Sequence, residues 1–463
     1  MRVQRRADIP AAEKYRSGFG QIIMISVGSI IGGGFLVGTG NSIRLAGPSL
    51  ILTYLLVGAA TISVNLFLIE MSLSPFDFAY FHQYVGKALG PLAGTTTGWA
   101  YIMGMVIGPA SEIIIAGVFL CRWFPRLTLL PTCVAITGLL IGLSFLGGPW
   151  LPRLKYITAF LRVLLLLGFG LLGIASMFGL FAGSLRTVGL THYPQPGSFF
   201  PHGIKGTFAA SVGVVMAYGG TESIGILSER DAMSNQFLPS ASYSIAFRVV
   251  FLYGFSIAML VNILPWYETS AVQSPFAQAL ALLNCPPAVL VLFYIILILS
   301  IASLVVTDTV MTLPLLRQLI QDSLFPRLVS KEKDRTGKIS AAVTMWMILL
   351  VSVLTAAWDG ETAFLRLFYL SGLGFVYIWI MITLSHPRYR RLVRREFPQQ
   401  QDYWQVPCAG LFHMLVLVIL LAGILCFAFF PLGRQTLLIS FGWIAAACIY
   451  YRRQRRTGKK MSP

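Results

Sequence analysis

The chain carries about twelve apolar stretches, each long enough to cross the roughly 30 Å hydrocarbon core of a bilayer as an α-helix. They lie near 19–40, 49–71, 91–121, 128–147, 156–182, 206–228, 242–264, 286–313, 340–357, 363–384, 407–430 and 433–451. In hydrocarbon every backbone N–H and C=O must find a partner inside the protein, which leaves helices or a closed barrel. Barrel strands alternate apolar and polar residues, whereas runs such as Val163–Gly183 are continuously apolar. The expected fold is therefore an all-α integral membrane protein of twelve transmembrane helices. Composition agrees: 56% of residues are hydrophobic and 11% charged, against about 25% charged in soluble domains. A soluble enzyme, a disordered tail and a nucleic-acid module are all excluded by that balance.

Charge orients the helices. Net charge is +18, from 35 Lys+Arg and 17 Asp+Glu. Basic residues collect on the cytoplasmic side of membrane proteins. Arg2, Arg5, Arg6, Lys14 and Arg16 precede the first stretch, and Arg452–Lys460 follow the last. Both termini are thus expected in the cytoplasm, with Arg327–Lys338 and the run Arg388–Arg395 on the same side. The expected organisation is a cytoplasmic segment 1–18, a ten-helix core 19–384, a cytoplasmic basic loop 385–405, two additional helices 406–451 and a basic tail 452–463. No cleavable signal peptide is expected, because the first sixteen residues are polar and no small-residue cleavage site follows a short apolar stretch. Cys121 and Cys133 flank one external loop, but the six cysteines show no metal-ligand spacing and read as small apolar residues. No Walker, Rossmann or H-E-x-x-H pattern occurs. No catalytic residue, cofactor or metal is assigned.

Two stretches are poor helices. The first contains Gly32, Gly33 and Gly34 in succession near the middle of a crossing, and each glycine costs about 1 kcal/mol in a helix interior. The sixth reads Ala217-Tyr218-Gly219-Gly220-Thr221-Glu222. Glycine also serves close helix packing, which explains a Gly-x-x-x-Gly pair better than a triplet. Interrupted helices at matching places in two repeats mark a midplane binding site in secondary transporters. A half-helix that starts after a break presents free N–H groups; one that ends before it presents free carbonyls. Amides at Gly32–Gly34 would suit an anionic group. Carbonyls near Ser29, Ile30, Ala217, Tyr218 and Gly219 would suit a cationic one. A molecule carrying both, such as an α-amino acid, fits the pair.

The stretches SVGSIIGGGFLVGTGNSIRLAGPSLILTYLLVG (26–58), GPLAGTTTGW (90–99), SEIIIAGVF (111–119), YGGTESIGI (218–226) and SGLGFVYIWIMITLSHPRYRR (371–391) resemble bacterial permeases of the amino acid–polyamine–organocation superfamily. That resemblance implies a five-plus-five inverted repeat with discontinuous helices 1 and 6, two further helices, and alternating access. It makes Gly32–Gly34 look like the family's carboxylate cradle and Tyr218 like its aromatic gate. The departures are specific. Gly33 offers no hydroxyl, and FDFAYFHQY (76–84) replaces a Pro/Ser/Gly-rich end of helix two. Arg153 and Lys155 replace an acidic pair, and helix eight carries Val306, Thr307 and Asp308 where small or amide residues are usual. Side-chain specificity does not carry over.

Four acids fall within the apolar stretches: Glu70, Glu112, Glu222 and Asp308. Charges at such depth are functional candidates. Glu70, near a helix end, reads as a solvated interface residue. Glu112, Arg162, Glu222 and Asp308 are the candidates for coupling or gating, with Arg162 and Asp308 expected to pair across helices five and eight. Arginine stays protonated, with a side-chain pKa above about 12, so Arg162 can brace the site but not cycle a proton. The expected function is secondary active transport of amino acids or related amines. Its partners are the substrate, the lipid bilayer and, as a candidate coupling ion, the proton; nucleic acid is not among them. The alternative is a degenerate permease that senses amino acids without moving them.

Overall fold

A computed structural model describes residues 31–76, 78, 80–146, 150–178, 199–221, 237–270, 273–329, 337–359, 361–399 and 403–456. Every regular element among them is helical. The first is a four-residue turn of helix, α1 (Gly33–Leu36), followed across Val37–Gly38 by α2 (Thr39–Ala46). Gly47 then adopts φ +65, a left-handed conformation open mainly to glycine. With Pro48 it turns the chain into α3 (Leu50–Leu73). A short amphipathic helix, α4 (Phe81–Leu89), leads to α5 (Pro91–Ile102) and, through a π-helical segment at Met103–Ile107, to α6 (Gly108–Trp123).

The π segment has a local cause. Regular α-helix would require an N–H at position 109 for the Met105 carbonyl, and Pro109 has none. Ser371 Oγ donates to the Gly104 carbonyl at 2.7 Å in that same segment.

The remaining helices are α7 (Leu129–Leu146), α8 (Trp150–Met177), α9 (Gly203–Tyr218), α10 (Phe237–Ile263), α11 (Pro275–Leu282), α12 (Pro287–Gln321), α13 (Lys338–Asp359), α14 (Glu361–Glu396), α15 (Ala409–Phe427) and α16 (Pro431–Arg456). Eight helices among the described residues are long and apolar enough to cross a membrane. Shorter apolar helices cover Leu129–Ser144, Gly203–Tyr218 and Phe247–Ile263. The protein is a multi-pass, all-α membrane protein.

The helices differ in what surrounds them. In the crossing Pro91–Trp123, 94% of the apolar window is buried inside the protein; in Pro431–Arg456 only 22% is. The first is a central helix, and the second presents Leu438, Ile439 and Phe441 outward, as suits a lipid-facing one. Around the central pair, α9 packs against α2, α3, α14 and α15, while α10 packs against α3 and α8. All six cysteines are free thiols.

Two expectations change. The basic run after the tenth apolar stretch does not begin a loop at 385: α14 continues to Glu396. Glu70 is not solvated. It is 2% exposed and takes both Arg390 Nε and an Arg390 terminal nitrogen at 2.7 and 2.6 Å, with the Val406 N–H at 2.7 Å. The extension of α14 brings Arg390 to it, so one observation explains the other.

The close approach of α14 to α9 rests on Gly372, where a Cβ would stand 2.6 Å from the Val212 carbonyl. Overpacking of this kind costs about 1–3 kcal/mol. Gly372→Val should lower the thermal midpoint in detergent, whereas Gly442→Val, with nothing within 4 Å, should leave it unchanged. A second expectation concerns α4. His82 is 2% exposed, neither ring nitrogen has a hydrogen-bond partner, and burial pushes its pKa down to about 4 from 6.5. The unfolded chain binds the proton more readily, so stability is full above pH 6.5 and falls as pH drops toward 4. Melts of the wild type and His82→Phe across that range should show the loss in the wild type and a shallower one in the variant.

Candidate functional site

The site is built where two helices stop inside the protein. At the first end, Gly32 is extended (φ −117, ψ −174) and α1 begins at Gly33. The Gly32 carbonyl accepts from the N–H groups of Phe35 and Leu36 at 3.1 and 3.0 Å. The N–H groups of Gly33 and Gly34 precede those bonds and have no helical partner. On the second, α9 ends at Tyr218. The N–H of Gly219 returns to the Met216 carbonyl at 3.1 Å, and Gly220 has φ +89, so a side chain there would strain the turn. The two ends adjoin: a Cβ on Gly34 would lie 3.6 Å from Met216 Cγ and 3.8 Å from the Met216 carbonyl oxygen.

Glu112 fills the amide side of this junction. It projects from α6, is 6% exposed, and its carboxylate faces the N–H groups of Gly33 and Gly34 as acceptor. The glycines make the room. A Cβ on Gly32 would meet Leu304 Cδ1 at 2.6 Å and Glu112 Oε1 at 3.0 Å; one on Gly33 would meet Glu112 Cδ at 3.4 Å. Glu112 Oε2 has no hydrogen-bond partner.

Arg162, from α8, is 1% exposed and donates from a terminal nitrogen to the Ser300 carbonyl of α12 at 2.9 Å. Its electrostatic neighbours include the carboxylates of Glu112 and Asp308 and the hydroxyl of Tyr253. Asp308 is half-buried and also lies near Lys155. The four charges thus form one string across α6, α8 and α12.

The carbonyl side is occupied as well. Tyr253, on α10, donates its hydroxyl to the Ala217 carbonyl at 3.1 Å. Its ring stacks on Phe35 at 3.8 Å between centroids, with planes 5° apart. Tyr218 turns away, donating its hydroxyl to the Tyr54 carbonyl at 3.1 Å and packing beside Tyr54 and Tyr253. Phe35 also approaches Phe276 of α11 at 5.4 Å.

Of the residues singled out in the sequence, Gly32, Gly33, Gly34, Glu112, Ala217 and Gly219 meet at the junction, with Arg162 behind Glu112. Asp308 is farther along the string, and Tyr218 is directed into α3. Ser29, Ile30 and Glu222 lie outside the described residues. Tyr253 was not legible: one aromatic in an apolar run carries no signal until the fold sets its hydroxyl on a helix end. Among the described residues no group of three or more His, Cys, Asp or Glu could hold a metal ion.

Long apolar helices packed around two helix ends that lie inside the protein, with buried charges beside them, define a multi-pass membrane protein with a polar site in its interior. The sequence model of the amino acid permease family matches residues 21–451, and the chain belongs to that family. It is 26% identical over 434 residues to the amino-acid permease RocE of Bacillus subtilis, covering 93% of this chain and 92% of that one. It is 27% identical over 442 residues to the gamma-aminobutyric acid permease of the same bacterium, covering 94% and 93%. The aromatic amino acid transport protein AroP of Corynebacterium glutamicum is 28% identical over 409 residues, with 87% of each covered. In fold it is similar to a manganese transporter of Eremococcus coleocola, with TM-score 0.55, 14% identity and 94% of each chain covered.

Glu112 and Arg162 are buried charges within electrostatic reach of each other, and coupled charges of this kind are lost unequally. Removing one partner leaves the other uncompensated and costs about 3–5 kcal/mol, whereas removing both is far milder. Glu112→Leu and Arg162→Leu should each lower the thermal midpoint sharply. The double variant should melt above the lower of the two singles, a coupling that a double-mutant cycle in detergent would measure.

Proposed function

We propose that this protein is a secondary active transporter of amino acids that works by alternating access. The observation that carries the proposal is the junction of two helix ends: the amides of Gly33 and Gly34, which have no helical partner and face Glu112, beside the terminal carbonyls of α9. Such a pair offers complementary partial charges to a zwitterion, the carboxylate on the amides and the ammonium on the carbonyls. Membership in a family whose relatives are named as amino acid transporters supports the same reading.

In this reading the chain crosses the membrane twelve times with both ends in the cytoplasm. Its core, 19–384, is a five-plus-five inverted repeat, and 406–451 supplies two further helices. Ser29, Ile30, Gly32, Gly33, Gly34, Ala217, Tyr218 and Gly219 form the substrate site. Glu112, Arg162, Glu222 and Asp308 govern coupling or gating. Arg162 holds a fixed positive charge, so a proton, if one is moved, is carried by Glu112 or another acid. Glu112 stands on the Gly33 and Gly34 amides, the place the substrate carboxylate would take. A carboxylate that yields this place, by protonation or by movement, links substrate binding to a change of charge in the membrane. Proton symport and substrate exchange both satisfy that requirement.

The test is flux. Purified protein in proteoliposomes should accumulate radiolabelled L-amino acids from a panel of twenty, driven by an imposed pH gradient if it is a symporter or by internal amino acid if it is an exchanger. Gly32→Val, which crowds both Glu112 and Leu304, should reduce uptake of the best substrate more than tenfold. Binding of an amino acid without any uptake under either gradient would identify a sensor and defeat the transport reading.

A further inference from the structure

Tyr253 stands at both poles of the junction. Its hydroxyl occupies the Ala217 carbonyl, its ring lies flat on Phe35, and it sits within electrostatic reach of Glu112 and Arg162. It is fully buried. The chain thus supplies both groups that the helix ends would otherwise lack: a carboxylate against the amides of Gly33 and Gly34, and a hydroxyl donor against a terminal carbonyl of α9.

We infer that Tyr253 is a placeholder for the substrate's ammonium group, and that its hydroxyl sets the site's affinity for ligands with an α-amino group by competing with that group. The inference rests on the proposed zwitterion site.

The physical argument runs through the carbonyl. The last carbonyls of a helix have no intrahelical partner, and in an apolar interior an unmet one is costly. Gly219 N–H takes the Met216 carbonyl, and the Tyr253 hydroxyl takes that of Ala217. A ligand bearing –NH3+ replaces a neutral donor by a charged one, which forms the stronger bond. A ligand without it must either leave the hydroxyl in place, and lose that part of the site, or displace it and strand the carbonyl. The Tyr253 hydroxyl thus competes with a ligand's ammonium group and leaves ligands that lack one unopposed. The hydroxyl opposes every amino acid equally, whatever its side chain.

Phe35 makes the exchange a movement. It lies on the same short helix as Gly33 and Gly34, so the ring stacked on Tyr253 is rigidly tied to the amides that face the carboxylate. A ligand that engages both poles must part Phe35 from Tyr253, which two separate fragments, one acid and one amine, would not do together.

The experiment compares Tyr253→Phe with the wild type in proteoliposomes and in detergent. The ring and its stacking on Phe35 are kept and only the hydroxyl is lost. Apparent affinity for the transported L-amino acids should rise about three- to tenfold, the worth of one net hydrogen bond. Affinity for the matching acids that lack the α-amino group should not change; for L-phenylalanine the matching acid is 3-phenylpropanoate. Equal gains for both classes, no gain, or a loss for the amino acids would overturn the inference. Should Tyr253→Phe not fold, 3-fluorotyrosine incorporated at position 253 keeps ring and hydroxyl and makes the hydroxyl a stronger donor. Affinity for amino acids should then fall while that for the deaminated acids stays constant, and any other pattern counts against the placeholder. A wild type that neither binds nor transports any of the twenty amino acids would defeat the zwitterion site itself. A wild type that transports them, with variants that do not discriminate by the amino group, would defeat only the role of Tyr253.

Discussion

The structure turns on the peptide groups freed where two helices stop in an apolar interior. A backbone N–H or C=O left without a partner there is costly, so a broken helix survives only if something answers it. Here the answers come from two other helices and from the chain's own return. Glu112 of α6 faces the amides of Gly33 and Gly34, Tyr253 of α10 caps Ala217, and Gly219 bends back to Met216. Arg162 of α8 stands behind the carboxylate. The sequence of α6 follows from this duty: the helix that delivers Glu112 is the most enclosed of the crossings, and its π segment is braced by Ser371 from α14.

Much of this was legible in the residues alone, because its causes are local. Apolar run length sets the helices, and a glycine triplet in the middle of a crossing has few uses other than a break. The pair Gly219–Gly220 is equally plain, and the structure gives its reason in the positive φ of Gly220. What was not legible depends on helices meeting. Glu112 was a candidate by depth, but nothing in SEIIIAGVF (111–119) says that its carboxylate would face Gly33 and Gly34. Tyr218 carried the stronger resemblance, yet the hydroxyl on the Ala217 carbonyl belongs to Tyr253, an unremarkable member of an apolar run. Glu70 looked solvated because the end of a helix usually is. The continuation of α14 to Glu396 encloses it, and a run of arginines reads as loop or helix with equal ease.

The family resemblance and the physical reading support each other unevenly. Family membership carries the fold and the general activity, since the match spans nearly the whole chain. It does not carry the chemistry of the site, where the departures gather. Gly33 removes a hydroxyl from the cradle, and that absence leaves space directly against Glu112 Cδ and Cγ. Arg153 and Lys155 replace acids, and Asp308 adds one; Lys155 and Arg162 both lie near Asp308. Asp308 thus sets one negative charge between two cations, which offsets part of the positive charge these substitutions bring.

Two buried glutamates show how differently the same side chain can be used. Glu70 has both oxygens engaged, a bidentate arginine on one side and a backbone N–H on the other, with His386 Nε2 at 3.1 Å. His386 in turn meets His413 at 3.0 Å. Such a group is held by many bonds at once, and moving it breaks all of them, so it fixes the end of α3 against α14. Glu112 keeps one oxygen without a hydrogen-bond partner and shares its charge with a single nearby arginine. A half-satisfied buried acid is costly, and the energy it retains is released by anything that protonates it or offers its oxygens better partners. The fold thus places rigidity where helices must stay joined and an unmet demand where a ligand or proton can act. That unequal satisfaction, rather than the presence of charge alone, is what separates the Glu112 junction from the Glu70 brace.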